Sequence, residues 1–192
     1  MHTEQATPQA VTHALLLFGA MLLVTAVPSL QRWPLGLFFP ILLSTSTLYA
    51  IPRLRYRPDW FRLGESSRSV TTLGLLTLFL APICLFIWYK ATSPNLSAFS
   101  QQIPHRSLWL TLLAGITFAL INSVSEEVVF RGVLQQALTI RLGVRGAWWL
   151  QGLMFGLMHS NGVPQGVTGM VLATAFGVVL GWIRYKSKGV GL

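Results

Sequence analysis

The chain has 192 residues, 53% of them hydrophobic and only 10% charged, with a mean hydropathy of +0.59. Soluble domains carry about 25% charged residues, and several runs here stay nearly uncharged for close to the ~20 residues an α-helix needs to cross a bilayer, so the composition excludes a soluble globular protein and predicts an all-α, polytopic transmembrane bundle of six spans. The net charge of +9 does not point to nucleic acid, because the basic residues fall in the connections between apolar runs, where cytoplasmic loops meet anionic headgroups.

The first eleven residues are polar and lack Lys and Arg. The apolar run that follows, Val11 to Ser29, is therefore read as a retained helix and not as a secretory signal. A second span covers Leu35 to Ile51 and is closed by Pro52. The basic connection Arg53 to Arg68 holds Arg53, Arg55, Arg57, Arg62 and Arg68, with Trp60 and Phe61 suited to a membrane interface. The third span, Val70 to Tyr89, contains Pro82 and ends on the anchor Trp88-Tyr89-Lys90. Its Cys84 is the single cysteine of the chain, which leaves no intrachain disulfide and no cysteine zinc cluster; it is expected to be a small packing residue. A polar connection from Ala91 to Arg106 leads to the fourth span, Leu108 to about Leu138, as one helix or two segments. The fifth, Ala147 to His159, is short for a full crossing. After the linker Ser160 to Gln165, the sixth runs from Gly166 to Trp182, where Gly169, Gly177 and Gly181 permit close helix packing. No internal repeat is found. The chain thus divides into N-terminal membrane helices with a basic loop (1–106) and a second part, 107–192. Placing the arginine-rich loop inside puts both termini in the cytoplasm and satisfies the positive-inside rule.

Within 107–192 the only acidic residues are Glu126 and Glu127. A carboxylate at membrane depth costs a few kcal/mol on insertion scales, roughly 3, so two in succession require a purpose. Glu127 and Arg131 are four apart and share a helical face, where they can pair. Glu126 is rotated by about 100° from Glu127 and shares a face with Asn122 instead. One carboxylate is thereby available for structure and the other for chemistry. In the next apolar segment Phe155 and His159 again stand four apart. A glutamate with a histidine can activate water directly or through a metal; read blandly, the pair is a solvated or capping helix end and the histidine an interfacial residue.

The pattern Glu-Glu-x-x-x-Arg (Glu126, Glu127, Arg131) followed by Phe-x-x-x-His (Phe155, His159) resembles the first two motifs of the CPBP family, the CAAX-processing and bacteriocin-immunity-type intramembrane proteases. Phe-Arg-Gly after the glutamates and the Ala175–Trp182 helix are similar too, so the resemblance covers roughly Leu108 to Leu192. It implies a glutamate-dependent endopeptidase of a bacterial inner membrane, acting on a membrane-anchored protein or peptide near a terminus, with no cofactor, metal or nucleic acid. It further implies Glu126 as general base on water, His159 positioning that water, and Glu127 held by Arg131. The family's third motif, His-x-x-x-Asn or Asp, has no counterpart after Trp182, and the residues there resemble the turn that leads into a further helix. The expectation is a C-terminally incomplete protease core in which Asn122 or Asn161 is the remaining candidate for stabilising the oxyanion, a role worth about 3 kcal/mol in other proteases. Three alternatives stand beside it. They are a non-catalytic immunity or scaffold protein of the same fold, a metal-dependent protease for which Glu126 and His159 supply too few ligands, and a transporter.

Overall fold

The computed structural model describes residues 8–190 apart from 57, 59, 61, 102–106 and 161, and apart from the side chains of 98 and 99. The helices are α1 (Pro8–Ala26), α2 (Leu35–Ala50), α3 (Arg68–Thr92), the one-turn α4 (Ser97–Ser100), α5 (Leu108–Glu126), α6 (Gln135–Met158) and α7 (Gly166–Ser187), with a π-helical segment, Glu127–Leu134, between α5 and α6. Among the described residues there is no strand. Local sequence sets several ends. Ser67 and Ser107 accept the backbone N–H of Val70 and Leu110 and cap α3 and α5. Pro28 and Pro52 open 3-10 turns at positions whose N–H would be unpaired.

Among the described residues four stretches are long and apolar enough to cross a membrane: Pro8–Ala26, Arg68–Thr92, Leu108–Met158 and Gly166–Ser187; Leu35–Ala50 is a shorter apolar helix. The chain is an integral membrane protein, and the outward residues of α3 and α5, such as Phe79, Leu78, Trp109 and Leu113, are apolar as a lipid-facing surface requires. The fourth and fifth expected spans fall together in the 51-residue stretch Leu108–Met158, which is broken at Gly143 (φ 68°, ψ 174°). A side chain rarely adopts that backbone conformation, so glycine is required there. Beyond it the chain runs back: Phe155 meets Phe130 edge-on at 5.0 Å between ring centroids.

The returning leg of α6 packs closely on α7. Gly169, Ala173, Gly177 and Gly181, four residues apart, are all buried on one face of α7 and let the backbones approach. A buried glutamine from each side of the break bonds to α7: Gln135 Nε2, before it, donates to the Gly181 carbonyl at 2.9 Å and Gln151 Nε2, on the returning leg, to the Gly177 carbonyl at 2.6 Å. From the α6 side the contact is tightest at Gly156, where a Cβ would run into Thr174 Oγ1 and the Met170 carbonyl.

The basic loop departs from the sequence expectation. Trp60 is not interfacial but only 5% exposed, in the core with Leu17, Phe130 and Val133, and its ring covers Gly132 so closely that a Cβ there would stand 2.8 Å from it. Phe61 lies outside the described residues. The reason Trp60 turns inward is that the loop is fastened to the end of α7. Arg62 Nε donates to the Lys188 carbonyl at 2.7 Å, Glu65 N donates to the Ser187 carbonyl at 2.6 Å, and Lys188 Nζ meets Glu65 Oε2 at 2.7 Å. The Lys188 ammonium holds the exposed Glu65 carboxyl below its usual range. The backbone N–H of Val190 reaches the Trp60 carbonyl at 3.4 Å. Across the bundle, His13 of α1 is hydrogen-bonded to the Tyr56 hydroxyl at 2.8 Å. Cys84 also differs from expectation: it is a free, exposed residue of α3, because the face of α3 that carries it has no helix against it.

Gly156→Val tests the α6–α7 seam. The added side chain has no room, and overpacking of this kind costs about 1–3 kcal/mol. The expected result is a lower thermal midpoint in detergent than for Leu157→Val on the exposed face; equal midpoints would show that the helices are not in contact there.

Candidate active site

The π-helical segment is where the sequence reading and the structure part. An eight-residue π-helix between two α-helices is rare, and such insertions concentrate at functional sites. Its widened turn is seen at the exit, where the N–H of Gln135 points to the carbonyl of Phe130 as well as to that of Gly132. Nothing in Val128-Val129-Phe130-Arg131 announces it by propensity. The nearest signal is Gly132, the one position in the segment at which the Trp60 ring can lie on the backbone.

Glu126 and Glu127 sit on either side of the α-to-π junction and face different surroundings. Glu126 accepts a hydrogen bond from Asn122 Nδ2 at 3.1 Å, as their shared face predicts. It lines a cavity of about 420 Å³ together with Asn122, Ser125, Phe130 and His159. Glu127 lines another, larger and predominantly apolar cavity of about 820 Å³ bounded by α3, α5 and α7. Adjacent carboxylates are thus delivered to two sides of one helix.

Arg131 joins Glu127 to the returning leg. Its side chain is fully buried, whereas that of Glu127 is 29% exposed, and Nη1 lies 3.3 Å from Glu127 Oε1. The flat guanidinium rests on the Phe155 ring with Cζ 4.3 Å from the ring centroid, the geometry of a cation–π contact. Phe155 in turn meets the His159 ring at 4.5 Å. A chain of contacts therefore runs Glu127–Arg131–Phe155–His159, and it ends at the cavity that Glu126 enters from the other side.

His159 terminates α6. Its Nδ1 lies 2.8 Å from the Phe155 carbonyl. A carbonyl can only accept, so Nδ1 carries a proton, and in the neutral imidazole Nε2 is the acceptor nitrogen. The turn beyond it is held by the Gly162 N–H donating to the His159 carbonyl at 3.2 Å.

The depth of the two motifs follows from the break at Gly143. Glu126 lies 17 residues before it and His159 lies 16 after it. At about 1.5 Å per residue of α-helix the return leg is roughly 24 Å long, and it brings His159 back to the cavity that Glu126 lines. The fifth span is short because it starts from that turn and ends at the cavity.

The structure thus brings together Asn122, Glu126, Glu127, Arg131, Phe155 and His159. Asn161 lies outside the described residues. Among the described residues no group of three His, Cys, Asp or Glu side chains converges as a metal site would require. Ser125 and Phe130, which line the cavity beside Glu126, were not singled out from the sequence; once Glu126 is known to face a cavity, its neighbours across the helical turn follow.

Residues 107–192 match the family model described as type II CAAX prenyl endopeptidase Rce1-like, in agreement with the motif resemblance. No curated protein and no solved structure matches the chain.

Arg131→Leu tests the buried pair. Removing one partner leaves the other charge uncompensated, at a cost of typically about 3–5 kcal/mol, and also strips the Phe155 face of its cation. A clear fall in thermal midpoint and folded yield in detergent is expected; a variant as stable as the parent would show that the Glu127 charge does not depend on Arg131.

Proposed function

We propose, from the match of residues 107–192 to the family model of type II CAAX prenyl endopeptidases, Rce1-like, that the chain is an intramembrane endopeptidase that uses Glu126 as a general base. The observation that carries this reading is the cavity shared by Glu126 and His159, residues 33 apart in sequence on antiparallel legs.

The reaction is hydrolysis of a peptide bond in a membrane-anchored protein. The Glu126 carboxylate accepts a proton from a water molecule in the cavity while the water oxygen bonds to the scissile carbonyl carbon. Nε2 of His159, left as an acceptor by the Nδ1 bond to Phe155, takes the second water hydrogen in a hydrogen bond and sets the angle of attack. When the tetrahedral intermediate collapses, the C–N bond breaks and Glu126 returns its proton to the leaving nitrogen. Asn122 orients the carboxylate through its amide N–H. That engagement gives it the part of a positioning residue for the base. Glu127 and Arg131 take no part in the proton transfers; they fix the π segment and Phe155.

Glu126→Gln keeps the shape of the side chain but cannot take the proton. His159→Ala removes the second contact to water. Each variant is expected to lose at least about a hundredfold in cleavage of a membrane-anchored reporter in liposomes, the scale of a general acid–base contribution, with an unchanged thermal midpoint. Activity surviving Glu126→Gln would remove the glutamate base; full dependence on added zinc would move the chemistry to a metal.

The same reading places the chain in a bacterial inner membrane with both termini and the 53–68 connection on the cytoplasmic side. Support comes from the fastening of that connection to the end of α7 through Arg62, Glu65 and Lys188, since fastened segments must lie on one side. Cysteines introduced at Arg53 and Lys186, in a Cys84→Ser background, should resist an impermeant maleimide in intact cells and react after permeabilisation. Labelling of either from outside would overturn the orientation.

A further inference from the structure

The Glu126 cavity is not lined by residues 107–192 alone. The connection between α1 and α2 supplies Gln31 and Trp33 to it, and the first turn of α2 supplies Leu37. Trp33 packs against Phe118 of α5, four residues before Asn122, with ring centroids 5.2 Å apart and planes tilted by 39°. Both rings are only partly covered, at 38% and 41% exposure, as an edge of an opening would be. The connection carrying Trp33 is not loose: Gln31 Nε2 donates to the Thr25 carbonyl at 2.9 Å, and the N–H groups of Gly36 and Leu37 return to the carbonyls of Arg32 and Pro34, both at 3.1 Å. An aromatic pair, one ring from each half of the chain, therefore lines the same cavity as the reacting carboxylate.

We infer that the Trp33–Phe118 pair is the specificity-determining wall of the site, contacting the substrate side chain next to the scissile bond and limiting its size. The inference rests on the proposed reaction at Glu126. A cavity of about 420 Å³ lies at the small end of ligand sites, which span roughly 300–1,000 Å³. A substrate backbone drawn over Glu126 leaves room for one apolar side chain of moderate size before the two rings are reached. A bulky aromatic side chain competes with Trp33 and Phe118 for the same space. The selecting surface comes in part from the N-terminal helices, so chains sharing the Glu-Glu-x-x-x-Arg segment can differ in substrate through residues 28–37.

The test uses the full chain in liposomes and a panel of membrane-anchored peptides with Ala, Val, Leu, Phe or Trp beside the scissile bond. The parent should prefer Val or Leu over Trp. Trp33→Ala and Phe118→Ala should each move the kcat/KM ratio for Trp over Leu upward by about tenfold or more, the range of discrimination a hydrophobic pocket provides, chiefly through KM. Trp33→Phe should retain most of the parental order. A size order unchanged in both alanine variants would overturn the inference. The same panel carrying an uncleavable hydroxyethylene in place of the scissile amide, read as competitive binding to Glu126→Gln in nanodiscs, separates this outcome from failure of the reaction itself. An altered binding order in the Trp33→Ala background supports the wall whether or not Glu126 is the base, and an unaltered one removes the wall while leaving the base in place.

Discussion

The ion pair between Glu127 and Arg131 is the constraint on which the rest of the structure depends. A charge inside a membrane protein must be paired or must neutralise itself, and the two partners here are separated by one turn of a helix that widens between them. The guanidinium, fully buried, has one flat face to offer after pairing, and Phe155 covers it. Phe155 belongs to the returning leg, so satisfying one charge docks that leg at a fixed height. His159, one turn beyond Phe155 and bonded to its carbonyl, is carried into position by the same contact. The Glu127 carboxylate is thus paired at a distance from that cavity, and Glu126 is hydrogen-bonded to a neutral amide, that of Asn122. An arrangement of this kind keeps the charge pair on one side of the helix and the second carboxylate on the other.

The second constraint is close packing between α6 and α7. Small residues at four-residue intervals on α7 let the backbones approach, and the two buried glutamines use carbonyls that this approach brings within reach. Side-chain to backbone bonds of that kind register one helix against the other along their length. They matter here because the returning leg carries Phe155 and His159, and α6 packs on α7, on the π segment and on α1.

Much of this was legible in the residues. The spans, the Glu127–Arg131 pair, the Asn122–Glu126 face and the small-residue stripe on α7 follow from periodicity and from the cost of charge in an apolar run. The π segment was not, because four-residue spacing places Glu127 near Arg131 in either helix type, so the sequence pattern is blind to the extra residue in the turn. Trp60 was misplaced for a different reason: an aromatic residue amid arginines suits an interface by composition, and only the hydrogen bonds from Arg62 and Glu65 to the end of α7 bring it over Gly132. Cys84 was misjudged because an apolar face of α3 reads the same whether a helix or lipid lies against it. The contribution of Trp33 to the cavity depends on a contact between segments about 90 residues apart, which no local pattern carries.

The break at Gly143 turns the spacing of the two motifs into a ruler with two arms of nearly equal length. Inserting one residue in either arm would raise or lower its motif by about 1.5 Å and swing it by about 100°, which would turn Glu126 or His159 away from the cavity. Over evolutionary time such a change can be absorbed only by a matching change in the other arm together with a correction of the angle. Length variation in this part of the protein is therefore expected to gather at the hairpin tip around Gly143, where added residues leave both arms intact, and to be purged between the tip and either motif.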